Sequence, residues 1–164
     1  MGAPMLQPET LCQVGFVVHD VESTAKKYAE AFGFPVPRII ETPGYDKAKT
    51  TVEGKPSEAT AKLAFFQTGQ LVVELIEPDK TPSVWRDYLD TNGEGVHHIA
   101  FRVKDTKATE AALAAEGMPV LQQGLFVDGS GMYTYVDSTA QLGVMVEFLE
   151  NFKTSEHNPR KDEQ

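Results

Sequence analysis

The sequence predicts an α+β fold in which two βαβββ modules form one curled mixed sheet, with helices on the outer face. Three observations predict it. The chain repeats itself at an offset of 85 residues, so that Gln13-Val-Gly-Phe-Val-Val-His-Asp20 aligns with His98-Ile-Ala-Phe-Arg-Val-Lys-Asp105. Each of these segments leads into a helix-like stretch and then a matching turn, Gly33-Phe-Pro-Val36 and Gly117-Met-Pro-Val120. Each copy closes on an apolar strand that carries lone acids, Val73-Glu-Leu-Ile-Glu77 and Val146-Glu-Phe-Leu-Glu150. Two copies are too few for a stacked array. A half of about 75 residues buries too little surface to stand alone, so the halves are expected to fold together.

The elements follow in order. Residues 1–10 are a leader, and 11–78 the first module. Residues 11–18 read as a strand. Asp20 offers the N-cap of a helix over 21–32, and Gly33 its C-cap. A second strand is expected over 36–42. Residues 43–60 carry Pro43, Gly44, Gly54 and Pro56 among charges and read as a long loop or lid. Residues 61–67 and 70–77 pair across Thr68-Gly69. Residues 79–95 link the modules, with a short helix from Ser83 to Asp90. The second module, 96–150, repeats the order: strand 96–103, helix 106–116 ended by Gly117, then strands 118–123, 132–137 and 143–149. Glycines at 124, 129 and 131 mark another flexible loop. Residues 151–164 form a polar tail, with disorder expected from about Thr154.

The formal charge of −9 argues against nucleic acid and anionic membrane as partners. It still admits a small anionic substrate where a cation sets the local field. No run approaches the roughly 20 apolar residues that span a bilayer, and no basic region precedes an apolar core at the N-terminus. The single cysteine, Cys12, excludes an internal disulfide, and a reducing cytoplasm is expected. It alternates with Gln13 on a strand and reads as a buried apolar residue.

Side chains alternate along strands, so Gln13, Gly15 and Val17 share one face, as do His98, Ala100 and Arg102. Glu74 and Glu147 sit inside valine- and leucine-rich strands, where an unpaired carboxylate is costly and a positive partner is expected. Under the pseudo-twofold repeat, Gln13, Glu74, His98 and Glu147 converge, and one divalent metal ion serves both acids. One nitrogen and three oxygen donors suit six-coordinate Mn²⁺, Co²⁺, Ni²⁺ or Zn²⁺ with two open positions. They do not suit a closed structural zinc site, nor the two-histidine, one-carboxylate iron of a dioxygenase. Two open positions can take two oxygens of one substrate, with the cation as a Lewis acid for an enolate. Arg102 is expected to reach the same cavity and bind a substrate carboxylate or thioester-adjacent anion. His97 is expected on the opposite face in a structural part, His19 in solvent and His157 in the tail. Tyr133 and Tyr135 either line the pocket or pack. Trp85, Tyr88 and Leu89 either meet a partner or pack within the chain.

Residues 11–150, through GVHHIAFRVKD (95–105), LVVELIEP (71–78) and LGVMVEFLE (142–150), resemble the vicinal oxygen chelate superfamily of glyoxalases, epimerases and extradiol dioxygenases. Within it, His97-His98-Ile-Ala and the run from Lys62 to Phe66, followed by Glu74 to Pro78, are most similar to methylmalonyl-CoA epimerases. Those enzymes usually carry histidine where Gln13 stands and often glutamine where Glu74 stands. The set Gln, Glu, His, Glu resembles instead the zinc site of one glyoxalase I branch. Val17, Pro78 and Glu94 depart from that branch where it would hold glutathione. The resemblance implies a metal-dependent isomerase or epimerase that removes a proton next to a carbonyl through an enolate. Its substrate would be an acyl thioester or a hydroxy-carbonyl compound. The alternatives are a lactoylglutathione lyase and a protein that sequesters a small molecule. Glu147 is implied as both ligand and base. Glu58, four residues before Lys62, is implied as the second acid, although Ala59-Thr60 replace the usual Gln-Gly. Arg38, Lys47, Lys49, Lys55 and Lys62 gather around the lid to meet an anionic thioester. Members often dimerise, so a homodimer is expected.

Overall fold

The computed structural model describes residues 11–152, so the expected leader and all but the first two residues of the tail lie outside the described residues. Strand β1 (Leu11–Val17) buries Gln13, Gly15 and Val17 on one face. Helix α1 (Val21–Phe32) starts where the Asp20 side chain accepts the Ser23 N–H, and stops at Gly33, whose φ of 72° a side chain would disfavour. Its Val21, Ala25 and Ala29 recur every fourth residue and face the sheet. Of the strand expected over 36–42, only β2 (Ile40–Glu41) forms, because Pro35 and Pro37 have no N–H for a ladder.

The expected lid over 43–60 is instead a structured arm. It holds α2 (Tyr45–Ala48) and two short strands, β3 (Thr51–Val52) and β4 (Lys55–Pro56). Strands β5 (Ala61–Gln67) and β6 (Val72–Pro78) form the expected hairpin. Helix α3 (Val84–Asn92) is capped by Ser83, whose hydroxyl accepts the Arg86 N–H. Strand β7 (Gly95–Arg102) and helix α4 (Thr106–Ala115) open the second module. Glu116, rather than Gly117, caps α4. Strands β8 (Val120–Leu125), β9 (Gly131–Val136) and β10 (Met145–Asn151) follow, with an unforeseen short helix α5 (Thr139–Leu142) before the last.

The strands lie in the order β2-β5-β6-β1-β7-β10-β9-β8-β3-β4. Counted outward from the centre, each module gives the same order, with β1-β6-β5-β2 mirrored by β7-β10-β9-β8. The modules join where β1 and β7 run antiparallel, with Gln13 opposite Ala100, Val14 opposite Ile99 and Gly15 opposite His98. The repeat offset carries 13 onto 98 and 15 onto 100. This register is therefore the one a twofold axis through the Val14–Ile99 pair requires. Beyond the second module, β3 pairs with β8, so the arm of the first module covers the edge of the second.

Alternation sorts the faces as the sequence suggests. Phe16 and Leu75 pack with Val21, Ala25 and Ala29 of α1, while Ile99, Phe101, Val146 and Phe148 pack with Leu113 of α4. A third cluster joins Val17, Ile76 and Tyr135 to Val84, Trp85 and Leu89 of α3, with Tyr88 against it. Trp85, Tyr88 and Leu89 thus pack inside the chain. Among the described residues, no helix is long and apolar enough to cross a membrane.

Candidate metal centre

Two small residues lie at the middle of the sheet. Gly15 stands between Glu74 on β6 and His98 on β7; Ala100 stands between Gln13 on β1 and Glu147 on β10. The four longer side chains share this face and lean over the gap. A Cβ built on Gly15 would lie 1.9 Å from His98 Cε1, so the imidazole rests directly on the glycine. Gln13, Glu74, His98 and Glu147 are all buried, His98 completely.

His98 Nε2 lies 3.0 Å from Glu147 Oε2 and 3.4 Å from Glu74 Oε2. Ligand atoms from Glu74, His98 and Glu147 lie within 4.8 Å of one another. The Gln13 amide joins by donating from Nε2 to Glu74 Oε2. Burial opposes a charge on His98, but the Glu147 and Glu74 carboxylates outweigh it and hold its pKa at about 10. Burial and then the charge of Glu147 push the Glu74 carboxyl up. Despite their proximity, His98 Nε2 and Glu147 Oε2 lack a hydrogen-bond partner of acceptable geometry. Orphaned buried atoms of this kind are rare and costly. A divalent cation at their common point would satisfy both and offset the two carboxylates, so the donor set fits a metal ion.

The sequence assigns His97 to the far face. Its buried ring instead turns edge-on to that of His98, with centroids 5.3 Å apart. His97 Nδ1 lies 3.1 Å from His98 Nδ1, and His97 Nε2 lies 3.2 Å from the Val84 carbonyl.

A cavity of about 570 Å³ opens over the cluster, lined by Gln13, Glu74 and Glu147 and by residues of both modules. Tyr133 and Tyr135, left open by the sequence, both line it, as does Trp85, which donates from Nε1 to the Tyr135 hydroxyl at 3.0 Å. Burial, and then the nearby carboxylates, push the Tyr135 phenol well above its usual range. The Tyr133 phenol is also raised, chiefly by burial. Both phenols therefore stay protonated and can donate hydrogen bonds. Leu63, Phe65, Phe126 and Leu149 give the cavity an apolar wall. Arg102 lines it where the sequence expects, bonded to Asn151 Oδ1 at 2.8 Å. Arg38 lines it too, and among the described residues neither arginine has a carboxylate partner.

The family profile described as Glyoxalase/Bleomycin resistance protein/Dioxygenase superfamily matches residues 12–136. The chain belongs to this superfamily. A further member-like sequence, protein YqjC of Bacillus subtilis (strain 168), is 30% identical over 102 residues, which cover 62% of this chain and 72% of YqjC. Solved structures share the superfamily fold. Methylmalonyl-CoA epimerase from Mycobacterium tuberculosis superposes with a TM-score of 0.65 at 19% identity, covering 93% of each chain. A Streptomyces coelicolor methylmalonyl-CoA epimerase in complex with 2-nitronate-propionyl-CoA gives 0.59 at 23%, covering 88% of this chain and 98% of the other. At these identities the likeness is one of fold.

Not every expected site residue of this superfamily member meets the cluster. Glu58 is exposed, does not line the cavity, and accepts the Tyr45 N–H at 3.0 Å. That placement takes it away from the site. Lys62 turns to Glu77 at 3.6 Å. Cys12 is half-buried, its thiol directed at the Ala100 carbonyl at 3.5 Å and its pKa raised by burial, in keeping with a packing part. Sequence reasoning missed Gly15 as the rest for His98, Trp85 as the support of Tyr135, and His97. A glycine inside an otherwise apolar strand was the available signal for the first.

Proposed function

We propose that this superfamily member is a divalent-metal-dependent isomerase of methylmalonyl-CoA epimerase type, which removes and returns a proton next to a thioester carbonyl. One observation carries the reading: two buried glutamates and a histidine converge within 4.8 Å at the wall of a 570 Å³ cavity shared by both modules. Glu74, His98 and Glu147, with Gln13 beside them, would hold Mn²⁺, Co²⁺, Ni²⁺ or Zn²⁺, which would supply Lewis-acid stabilisation to charge developing on the carbonyl oxygen. Glu147 is the base: its buried carboxylate lines the cavity, where it would both hold the metal and take the substrate proton. Epimerisation needs a second group on the other face. Glu74 is the twofold mate of Glu147 and lines the same cavity. It takes the part that the sequence gave to Glu58. Tyr133 and Tyr135 donate to substrate oxygens. Arg102 and Arg38 hold an anionic end and locally oppose the charge of −9.

The test is solvent exchange. Metal-loaded protein in deuterium oxide should place deuterium at C2 of methylmalonyl-CoA, and Glu147→Gln should stop it. Exchange that persists at the parent rate in Glu147→Gln removes Glu147 as base. The donor set favours one second reading. An amide, an imidazole and two carboxylates equally suit lyase chemistry on the adduct of methylglyoxal and glutathione. Thioester formation from that pair, without exchange on acyl-CoA, selects it. A protein that binds the metal and turns over neither substrate returns the choice to small-molecule sequestration.

A further inference from the structure

We propose that His97 is a positioning residue: its hydrogen bond to His98 fixes the imidazole tautomer that turns the His98 Nε2 lone pair toward Glu74 and Glu147. The proposal rests on the metal-centre reading above. The argument starts at Val84. A carbonyl oxygen can only accept, so the contact of 3.2 Å with His97 Nε2 puts the proton of His97 on that nitrogen. His97 is 1% exposed, and its ring meets the rings of Tyr88, His98 and Tyr135. Among the described residues it forms no ion pair with a carboxylate, so it stays neutral and its Nδ1 is a bare acceptor. His98 Nδ1, 3.1 Å away, must then carry the proton of that bond. Without metal the two carboxylates keep a second proton on Nε2; where a cation takes that proton's place, a His98 protonated at Nδ1 offers its lone pair from Nε2. This is the atom that lies 3.0 Å from Glu147 and 3.4 Å from Glu74. In the opposite tautomer two bare nitrogens would face each other with nothing between them.

The relay is anchored further back. The Val84 N–H donates to Gln122 Oε1 at 2.9 Å, and Gln122 Nε2 donates to the Tyr133 hydroxyl at 3.4 Å. Gln122 is fully buried and Tyr133 lines the cavity. One residue, Val84 at the start of the helix between the modules, is therefore held through both its backbone groups. Its carbonyl orients the ligand, and its N–H ties back to the cavity wall. Partners that fix the far nitrogen of a ligating imidazole typically contribute about 10–100-fold to metal affinity.

Two measurements test this on the full chain. Nitrogen NMR of histidine-labelled protein should show His98 protonated at Nδ1, with a scalar coupling across the bond to His97 Nδ1, already without metal. Zinc should then shift His98 Nε2 and leave Nδ1 protonated. Absence of the coupling, or zinc on Nδ1, overturns the proposal. His97→Phe keeps a ring against Tyr88 and Tyr135 but removes the acceptor. Its zinc affinity, measured by competition with a chromophoric chelator, should fall about 10–100-fold. A folded His97→Phe variant with parental affinity also overturns it. If zinc leaves His98 unchanged in the parent protein, the metal-centre reading fails, and the coupling still decides the Nδ1–Nδ1 bond by itself.

Discussion

Gly15→Ala is the sharpest probe of the proposed centre, because it adds a single carbon at its tightest contact. The new Cβ would stand 1.9 Å from His98 Cε1, 2.4 Å from Nδ1 and 2.5 Å from Nε2. Carbon atoms rest at about 3.5–4.0 Å, so the ring must retreat by roughly 1.5–2 Å. It has little room. His97 Nδ1 is 3.1 Å behind it, and the Tyr135 ring centroid is 5.1 Å away. Overpacking of this kind costs about 1–3 kcal/mol, which for a chain of this size lowers Tm by roughly 2–12 °C. Function should suffer more than stability. A preorganised site tolerates displacements of about 0.5 Å, and a misplacement of about 1 Å can cost 10²-fold. Zinc affinity by chelator competition, and deuterium exchange on acyl-CoA, should each fall by about 10²-fold or more. Gly69→Ala is the control. That glycine has φ of 92° but open space around it, so the variant should lose some stability and keep zinc affinity. A Gly15→Ala protein that binds zinc within about twofold of the parent would refute the idea that His98 is seated on the glycine.

Three further outcomes are expected. Glu147→Gln should lower proton exchange by about 10²–10⁴-fold, the usual contribution of a general base, as read by mass spectrometry of the acyl-CoA. Glu58→Gln should leave exchange within about twofold, since Glu58 bonds the Tyr45 N–H outside the cavity; a loss as large as that of Glu147→Gln would restore it as the second acid. The metal-free protein should be most stable near pH 6.5 as far as its paired histidines decide. His98, raised from 6.5 to about 10, holds a proton that the unfolded chain loses, so its stabilisation is complete below pH 6.5 and fades as pH rises toward 10. His97, lowered to about 3, refuses a proton that the unfolded chain accepts, so stability also falls as pH drops from 6.5 toward 3. Urea midpoints of stripped protein at pH 4.5, 6.5 and 9 check this, and a steady rise from 6.5 to 9 contradicts the His98 half of it.

Much of the fold was legible because the repeat offset sets which residues correspond. Once 13 maps to 98, their shared face follows from strand alternation, whereas the register depends on where the axis falls, which is at Val14–Ile99. Helix ends were legible where a cap is local, as with Asp20 and Gly33. The arm was not, because β3 finds its partner β8 about 70 residues later through only two residues of ladder, which leave no periodic trace. Glu58 rested on resemblance in its spacing before Lys62, and spacing says nothing of where an arm folds: β5 begins at Ala61, after Glu58, whose carboxylate meets the Tyr45 N–H. His97 exposes the remaining gap. Alternation gives the direction of a Cβ, but not where the ring beyond it will turn.

The arm also makes the two sides of the molecule unequal. Residues 42–60 lie between β2 and β5, whereas only 126–130 lie between their counterparts β8 and β9. At the cluster, Glu74 and Glu147 are near twofold partners and by themselves would leave two orientations of an incoming molecule equivalent. Thr50, within the arm, reaches the Tyr133 hydroxyl at 3.4 Å, and Thr42, where the segment begins, lines the chamber on the side of Ile40 and Leu63. The peripheral insertion would then make the two orientations of a bound molecule unequal, and redesigning that preference should begin at Thr50 while the ligands stay untouched.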